Sequence, residues 1–290
     1  MTCRIAISVL GLSIAIAIAN QVSAATISIG SEKDASMFAN NPTNTGGGND
    51  FVSTGRNNNG HARRALLQFD IAPPVIPVGA TINSVSLTLA LHSWSRLGNG
   101  FPFGIDRTVE LHRITSQWGN GTTVATSGGG GQGIASSMNG DVSWTYRSWS
   151  QTDPTPPHSP WTLAGGDFDA SVSSSLLMST TNGPIAVGNY FTWTGAGLAA
   201  DVQAWVDGTK PNYGWLLLIP NDGAAPNNTL LEFYSRDAAE VDAAFRPQLT
   251  IDFTAAAAVP EPSTWMLAAT GLVLSGLIAA RYRGKKRGYA

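Results

Sequence analysis

The chain has 290 residues, 43% of them apolar and only 12% charged, with 19 acidic against 17 basic residues and a formal net charge of −2. Setting aside Arg4, Glu261 and the five basic residues near the C-terminus leaves 18 acidic against 11 basic residues, a body near −7. Such a charge opposes binding to nucleic acid, or to an acidic membrane face, through general electrostatics.

The first element is Arg4, an apolar stretch from Ile5 to Ala19, and Val22-Ser23-Ala24. This is the order of a secretory signal peptide over 1–24, with a small-residue cleavage site after Ala24. The only cysteine, Cys3, lies inside it and ahead of the apolar run, too early for lipoprotein attachment. The mature chain then carries no disulfide framework.

Residues 25–257 are rich in Gly, Ser, Thr and Asn, a composition that suits a β-sandwich with long loops. Ala25–Ile29 alternates at period two, and Ala65–Ile71 is an apolar run closed by Pro73-Pro74. Ser84–Leu91 alternates cleanly, with Val85, Leu87, Leu89 and Leu91 on one face. Thr108–Ile114, Asp141–Tyr146, Tyr190–Trp193, Gly214–Ile219, Leu230–Ser235 and Pro247–Phe253 complete the predicted strands. Phe69, Leu67, Trp215, Leu217 and Phe233 are expected between the sheets.

Three segments depart from this pattern. Leu198, Val202, Trp205 and Val206 fall at helical spacing ahead of Gly208, which predicts one short helix capping the sandwich, with Trp205 plugging the core. Gly119–Gly140 reads as a flexible loop by composition, without the Gly-Lys-Ser/Thr of a phosphate loop. Gln151–Pro160 reads as a second loop, rich in Pro.

The C-terminal segment, 258–290, carries Val259, Pro260, Glu261 and Pro262, then 16 uncharged residues from Trp265 to Ala280. A basic tail follows: Arg281, Arg283, Lys285, Lys286 and Arg287. A helix needs about 17–25 residues to cross the hydrocarbon, so the run reads as a short transmembrane helix. The basic cluster would hold its far end on the cytoplasmic side. The order of these parts resembles the PEP-CTERM sorting signal of Gram-negative bacteria. The resemblance implies an exosortase, a membrane cysteine protease, as partner. It would cut near Pro-Glu-Pro after a transient stay in the membrane.

A second resemblance covers about 30–253. Ala65–Ile71, Pro77–Ile82 and Ser84–Leu89 look like the first half of a DNRLRE domain, and Asp34 with Asn40–Asp50 matches its usual opening. Ile114–Trp118, Gly165–Asp169, Asp201–Gly208, Asn212–Leu216, Ser235–Asp237 and Arg246–Ile251 follow in the family's order. Ser-Arg-Asp stands where Ser-Arg-Glu is usual, and the glycine-rich insert also departs. The resemblance implies a jelly-roll-like sandwich similar to carbohydrate-binding modules. Arg236 and Arg246 are expected to pair with acids near strand ends, chiefly as structure.

Chemistry-bearing residues are few. His61, His92, His112 and His158 show no metal spacing, and neither His-Glu-x-x-His nor Gly-x-Ser-x-Gly occurs. A Ser-His-Asp arrangement stays open, because its members can be far apart in sequence. Asp167 with Asp169, and Asp34 with Asp50, are the candidate calcium ligands, set against plain solvated turns. Trp144, Trp149 and Trp161 surround a loop and are the candidate sugar-stacking rings, with Trp94 and Trp118 also near strand ends; the alternative for each is core. The resulting expectation is an all-β, jelly-roll-like sandwich with no assigned catalytic residue. It would be exported, sorted by exosortase to the cell surface or matrix, and structural or adhesive in extracellular polysaccharide. The alternative is a secreted polysaccharide hydrolase or lyase.

Overall fold

The computed structural model describes residues 23–94, 106–124, 133–150, 158–179, 185–224, 229–256 and 271–278. β1 (Ala24–Gly30), β2 (Lys33–Phe38), β3 (Asn44–Thr45), β4 (Phe51–Arg56) and β5 (Ala62–Gln68) precede the long β6 (Thr81–Trp94). β7 (Arg107–Ile114), β8 (Ile134–Ala135), β9 (Tyr146–Trp149), β10 (His158–Pro160) and β11 (Phe168–Met178) follow. β12 (Tyr190–Thr194) leads into helix α1 (Ala196–Val206). The body ends with β13 (Trp215–Leu218), β14 (Leu231–Tyr234), a 3-10 helix over Glu240–Phe245 and β15 (Gln248–Thr254).

The strands form two antiparallel layers. In the first, β6 pairs with β12 on one side and with β15 and then β14 on the other; β1 pairs with β15 at the edge. In the second, β5 is flanked by β2 and β13, and β7 joins β13 to β11. β4 connects the layers, pairing β14 through Phe51–Thr54 and β5 at Gly55 and Arg56. The inward faces share one core that takes Val85, Leu87, Leu89, Leu249, Ile251 and Phe233 from one layer and Leu67, Leu111 and Leu217 from the other. This is the expected β-sandwich, held by apolar faces on opposite sheets.

The period-two pattern of β6 is kept by a local irregularity. Asp252 pairs Ser84 while Phe253 pairs Ile82, so Asn83 is an extra residue. That bulge lets Ile82 and Val85 both point inward despite their odd spacing. The predicted helix is α1, with Leu198, Val202 and Trp205 buried, and the Trp205 ring lies 4.6 Å from that of Trp215.

Strand β13 is buried at every position, and the reason is a third layer of chain. Trp215 and Leu217 face the main core, whereas Leu216 and Leu218 face a second cluster with Ala35, Met37, Trp118, Val142 and Trp161. The cover comes from the segments around 115–124, 138–150 and 158–167. The flexible loop expected over Gly119–Gly140 is therefore corrected for its described part. There, the glycines serve close approach. A Cβ on Gly119 would sit 2.2 Å from the Gly140 carbonyl oxygen, and one on Gly47 2.6 Å from that of Gly121. Residues 125–132 of that loop, and 151–157 of the Pro-rich one, lie outside the described residues.

Residues 1–22 of the expected signal peptide also lie outside the described residues. The expected transmembrane run over 265–280 is described only at 271–278, which is helical and exposed. Among the described residues no helix is long and apolar enough to cross a membrane.

Candidate functional site

The sorting residues Val259, Pro260, Glu261 and Pro262, and the tail Arg281, Arg283, Lys285, Lys286 and Arg287, lie outside the described residues. The body shows where the chain leaves toward them. Ala24 on β1 pairs with Thr254 on β15, and the Ala255 N–H donates to the Ser23 carbonyl at 3.1 Å. The expected export cleavage site and the strand leading to the C-terminal segment thus leave the sandwich side by side.

The three candidate sugar-stacking rings have separate fates. Trp161 is buried at 5% exposure, and its indole N–H donates to the Ser143 carbonyl at 2.9 Å. It belongs to the second core, which corrects its reading as an exposed ring. Trp144 is half-buried with the Arg64 guanidinium 4.8 Å above it, so one of its faces is already taken. Arg64 is fixed there by Asp222, at 2.7 and 3.0 Å, and by the Gly165 carbonyl at 2.8 Å. Trp149 sits on the β9–β10 hairpin, half-buried, stacked on His158 at 5.1 Å and 19°. Tyr146 meets the same imidazole edge-on at 4.6 Å. Strand pairing places His158 opposite Trp149, so the hairpin itself builds this aromatic platform. Trp118, like Trp161, is a core residue, donating to the Tyr213 carbonyl at 2.8 Å.

Asp167 and Asp169 are engaged by different donors. Asp167 accepts the Thr162 and Leu163 N–H groups at 3.0 and 2.9 Å and the Ser116 hydroxyl at 2.9 Å. Burial pushes its carboxyl up, but these hydrogen bonds outweigh it and hold the group below the ordinary carboxylate value. Asp169 accepts the Ser171 N–H at 3.0 Å and Arg113 at 2.6 Å. The Ser171 hydrogen bond, against slight burial and with help from Arg113, holds it low as well. The two carboxylates therefore act as separate turn locks, and a cation would have to displace these donors. A cavity of about 470 Å3 lies beside Ser116, Thr162, Asp167 and Phe168. His112 is buried between the Asp169 carbonyl, 2.9 Å from Nδ1, and Glu110, 3.3 Å from Nε2.

Asp34 and Asp50 also have different surroundings. Asp34 is buried at 1% exposure and accepts the Arg236 N–H at 2.8 Å and the Ser31 hydroxyl at 3.0 Å. Burial raises its carboxyl to about 7, against the pull of those two donors. The Asp50 side chain is 61% exposed and faces His92 at 3.7 Å. Among the described residues no three His, Cys, Asp or Glu side chains gather as a metal would require. Arg246 pairs with Glu240 at 2.8 Å and Arg236 with Asp237 at 3.4 Å, the expected acidic partners.

One group was not foreseen. Phe51, His92, Tyr234, Phe245 and Tyr190 form a continuous row of ring contacts, 4.8 to 5.9 Å between neighbours, on the outer side of the first layer. Burial lowers the His92 imidazole, with Asp50 and Asp242 opposing. Its signal in the sequence was weak, because these rings come from five separate segments.

Comparison with known proteins adds one match. Residues 258–284 match the family described as the PEP-CTERM protein-sorting motif. No curated protein matches the chain. The motif marks this β-rich chain as an exported protein that is recognised and processed by an exosortase.

Proposed function

We propose that this is a surface or matrix protein whose sandwich, a DNRLRE-like jelly roll, has a structural or adhesive role in extracellular polysaccharide. In this reading the C-terminal segment anchors the chain in the membrane until exosortase cuts near Pro260-Glu261-Pro262. The body is then released or re-anchored outside the cell. Glycan is held by stacking on the Trp149, His158 and Tyr146 platform. The observation that carries the glycan reading is the stacked Trp149–His158 pair, half-buried on the β9–β10 hairpin. An indole presenting an apolar face beside polar groups suits a sugar's C–H face and its hydroxyls.

A binding role is preferred to hydrolase or lyase chemistry because Asp167, Asp169 and His112 are engaged with neighbouring groups of the fold. The test is a glycan array with the exported protein, repeated with Trp149→Ala. Binding to a polysaccharide that falls about tenfold with Trp149→Ala supports the reading. Retention of full binding in that variant, or depolymerisation of the glycan by the wild type, overturns it.

A further inference from the structure

The first layer ends at β1, which pairs with β15 on one side and with no other described strand. The ladder shows which backbone groups that pairing uses. The Ala255 N–H donates to the Ser23 carbonyl, one step beyond the Ala24–Thr254 pair, so these two residues form a hydrogen-bonded pair. Such pairs alternate along an antiparallel ladder. The N–H and C=O groups of Ala25, Ile27 and Ile29 therefore face β15, and those of Thr26, Ser28 and Gly30 point outward from the sheet. Thr26, Ser28 and Gly30 are also exposed residues of the strand.

Folds guard such an edge with charges, proline, bulges or cover. The long strand β11, at the edge of the second layer, is guarded in this way. Its register with β7 shifts twice, and its Ser174 hydroxyl donates to the Thr194 carbonyl of β12 at 2.6 Å, closing one layer on the other. β1 shows none of these devices. Its residues, Ala-Ala-Thr-Ile-Ser-Ile-Gly, include no charge and no proline, and its register with β15 is unbroken. Ala25, Ile27 and Ile29 pack against the main core yet stay half-buried, because no described strand continues the sheet beyond them.

We propose that β1 is a pairing edge for β1 of a second copy of this chain, in antiparallel register about Ser28. A two-fold axis there sets Ser28 opposite Ser28 of the other copy and Thr26 opposite its Gly30, so each outward N–H meets a C=O. The same register sets Ile27 opposite Ile29 of the other copy in a non-hydrogen-bonded pair. Side chains approach most closely at such pairs, so the half-buried isoleucines cover one another. With the signal peptide cut after Ala24, the new α-amino group of Ala25 comes toward exposed Glu32 of the other copy, just past the end of its β1. Symmetry repeats this pairing of opposite charges at the other end. A foreign strand could form the backbone bonds, but β1 offers it neither charge nor pocket for selection. The second copy matches on both faces and at the chain end. One edge strand buries less than the roughly 1,200 Å2 of a stable interface, so the pair is reversible, with a dissociation constant on the order of 10–100 µM. A single such edge per chain closes the assembly at two copies. This inference does not rest on the Trp149 platform.

The test uses the protein as exported by its own cells. Sedimentation velocity from about 1 µM to 1 mM measures association. The wild type should pass reversibly from monomer to dimer, and hydrogen exchange at Thr26, Ser28 and Gly30 should slow as it does so. Ser28→Lys and Ser28→Glu each set like charges directly opposite across the axis, and each alone should dimerise at least about threefold more weakly. An equal mixture of the two should regain dimerisation as the mixed pair. Ser28→Pro removes an outward N–H and no N–H of the β1–β15 ladder, and should dimerise at least about tenfold more weakly. A wild type that stays monomeric over this range overturns the proposal; slow exchange at those amides in the monomer would then show that another segment of the chain covers the edge. Undiminished dimers in the single variants, no recovery in the mixture, or growth beyond two copies overturns it too, by placing the contact on another surface. Should Ser28→Pro fail to fold, the two charged variants, each checked for an unchanged melting midpoint, decide by the same criterion.

Discussion

The Asp201 carboxylate on α1 accepts the indole N–H of Trp215 on β13 at 3.0 Å. The same oxygen accepts the Ser173 hydroxyl of β11 at 2.5 Å, and the other faces Arg113 Nε of β7 at 3.3 Å. One side chain thereby fastens the helix to three strands. Asp201→Ala strands a buried indole N–H and weakens the pairing of a nearly buried guanidinium. The expected cost is roughly 3 kcal/mol. Asp201→Asn should cost less, because its amide oxygen still accepts from Trp215. Denaturant unfolding with an unchanged m-value measures both; a loss under about 1 kcal/mol for Asp201→Ala would contradict the role given to it.

Gly119→Ala tests the packed cover. Its new methyl carbon, fixed directly to the backbone, would lie 2.2 Å from the Gly140 carbonyl oxygen, itself a backbone atom. Neither side can rotate away, so the cover must lift or the strands must shift. A destabilisation of about 2 kcal/mol or more is expected, with increased hydrogen exchange over 115–124 and 138–150. An unchanged exchange pattern would mean that this segment is held less tightly than its contacts imply.

These two cases show what the sequence exposed and what it hid. The alternation of Ser84–Leu91 was legible because one face meets the core and the other meets polar partners, such as Thr192 across from Thr88 at 2.9 Å. The unbroken run Trp215–Leu218 also held a readable sign, since a strand apolar at every position has both faces covered. What covers it was not legible. The cover is rich in Gly, Ser and Thr, a composition shared with mobile loops, and its anchors Trp118 and Trp161 lie near loops and strand ends, where the sequence leaves exposed ring and core both open. The role of Asp167 was hidden for a related reason: two of its three hydrogen-bond donors are backbone groups, which leave no residue signature.

Removing residues 258–290 tests delivery apart from folding. The described body closes on itself along β1 and β15, with Ala25 paired to Phe253, so the truncated chain should keep the strand content and unfolding midpoint of the parent. The sorting motif is lost, so the protein should be exported but not processed or delivered with the full-length form. Cell fractionation and intact mass measure the two outcomes. Equal distribution of truncated and full-length protein would remove the motif from the account.

Asp34 sets the sign of one part of the stability profile. Burial raises its carboxyl to about 7 in the fold, against an ordinary value of 3.8, and its Oδ1 has no hydrogen-bond partner. The folded state therefore keeps a proton that the unfolded chain releases first. That contribution is fully present below about pH 4, declines as the pH rises toward 7 and is gone above it. Asp34→Asn keeps an acceptor for the Arg236 N–H but cannot ionise. At about pH 4 the two proteins should have similar stability. At about pH 8 the variant should be the more stable, by roughly 2–4 kcal/mol. Asp167 and Asp169, held below the ordinary value, act in the opposite sense at low pH and are common to both proteins. The difference between the two unfolding free energies isolates Asp34. A difference independent of pH across this range would show that Asp34 is ionised in the fold throughout, and that its unmatched oxygen is met by water.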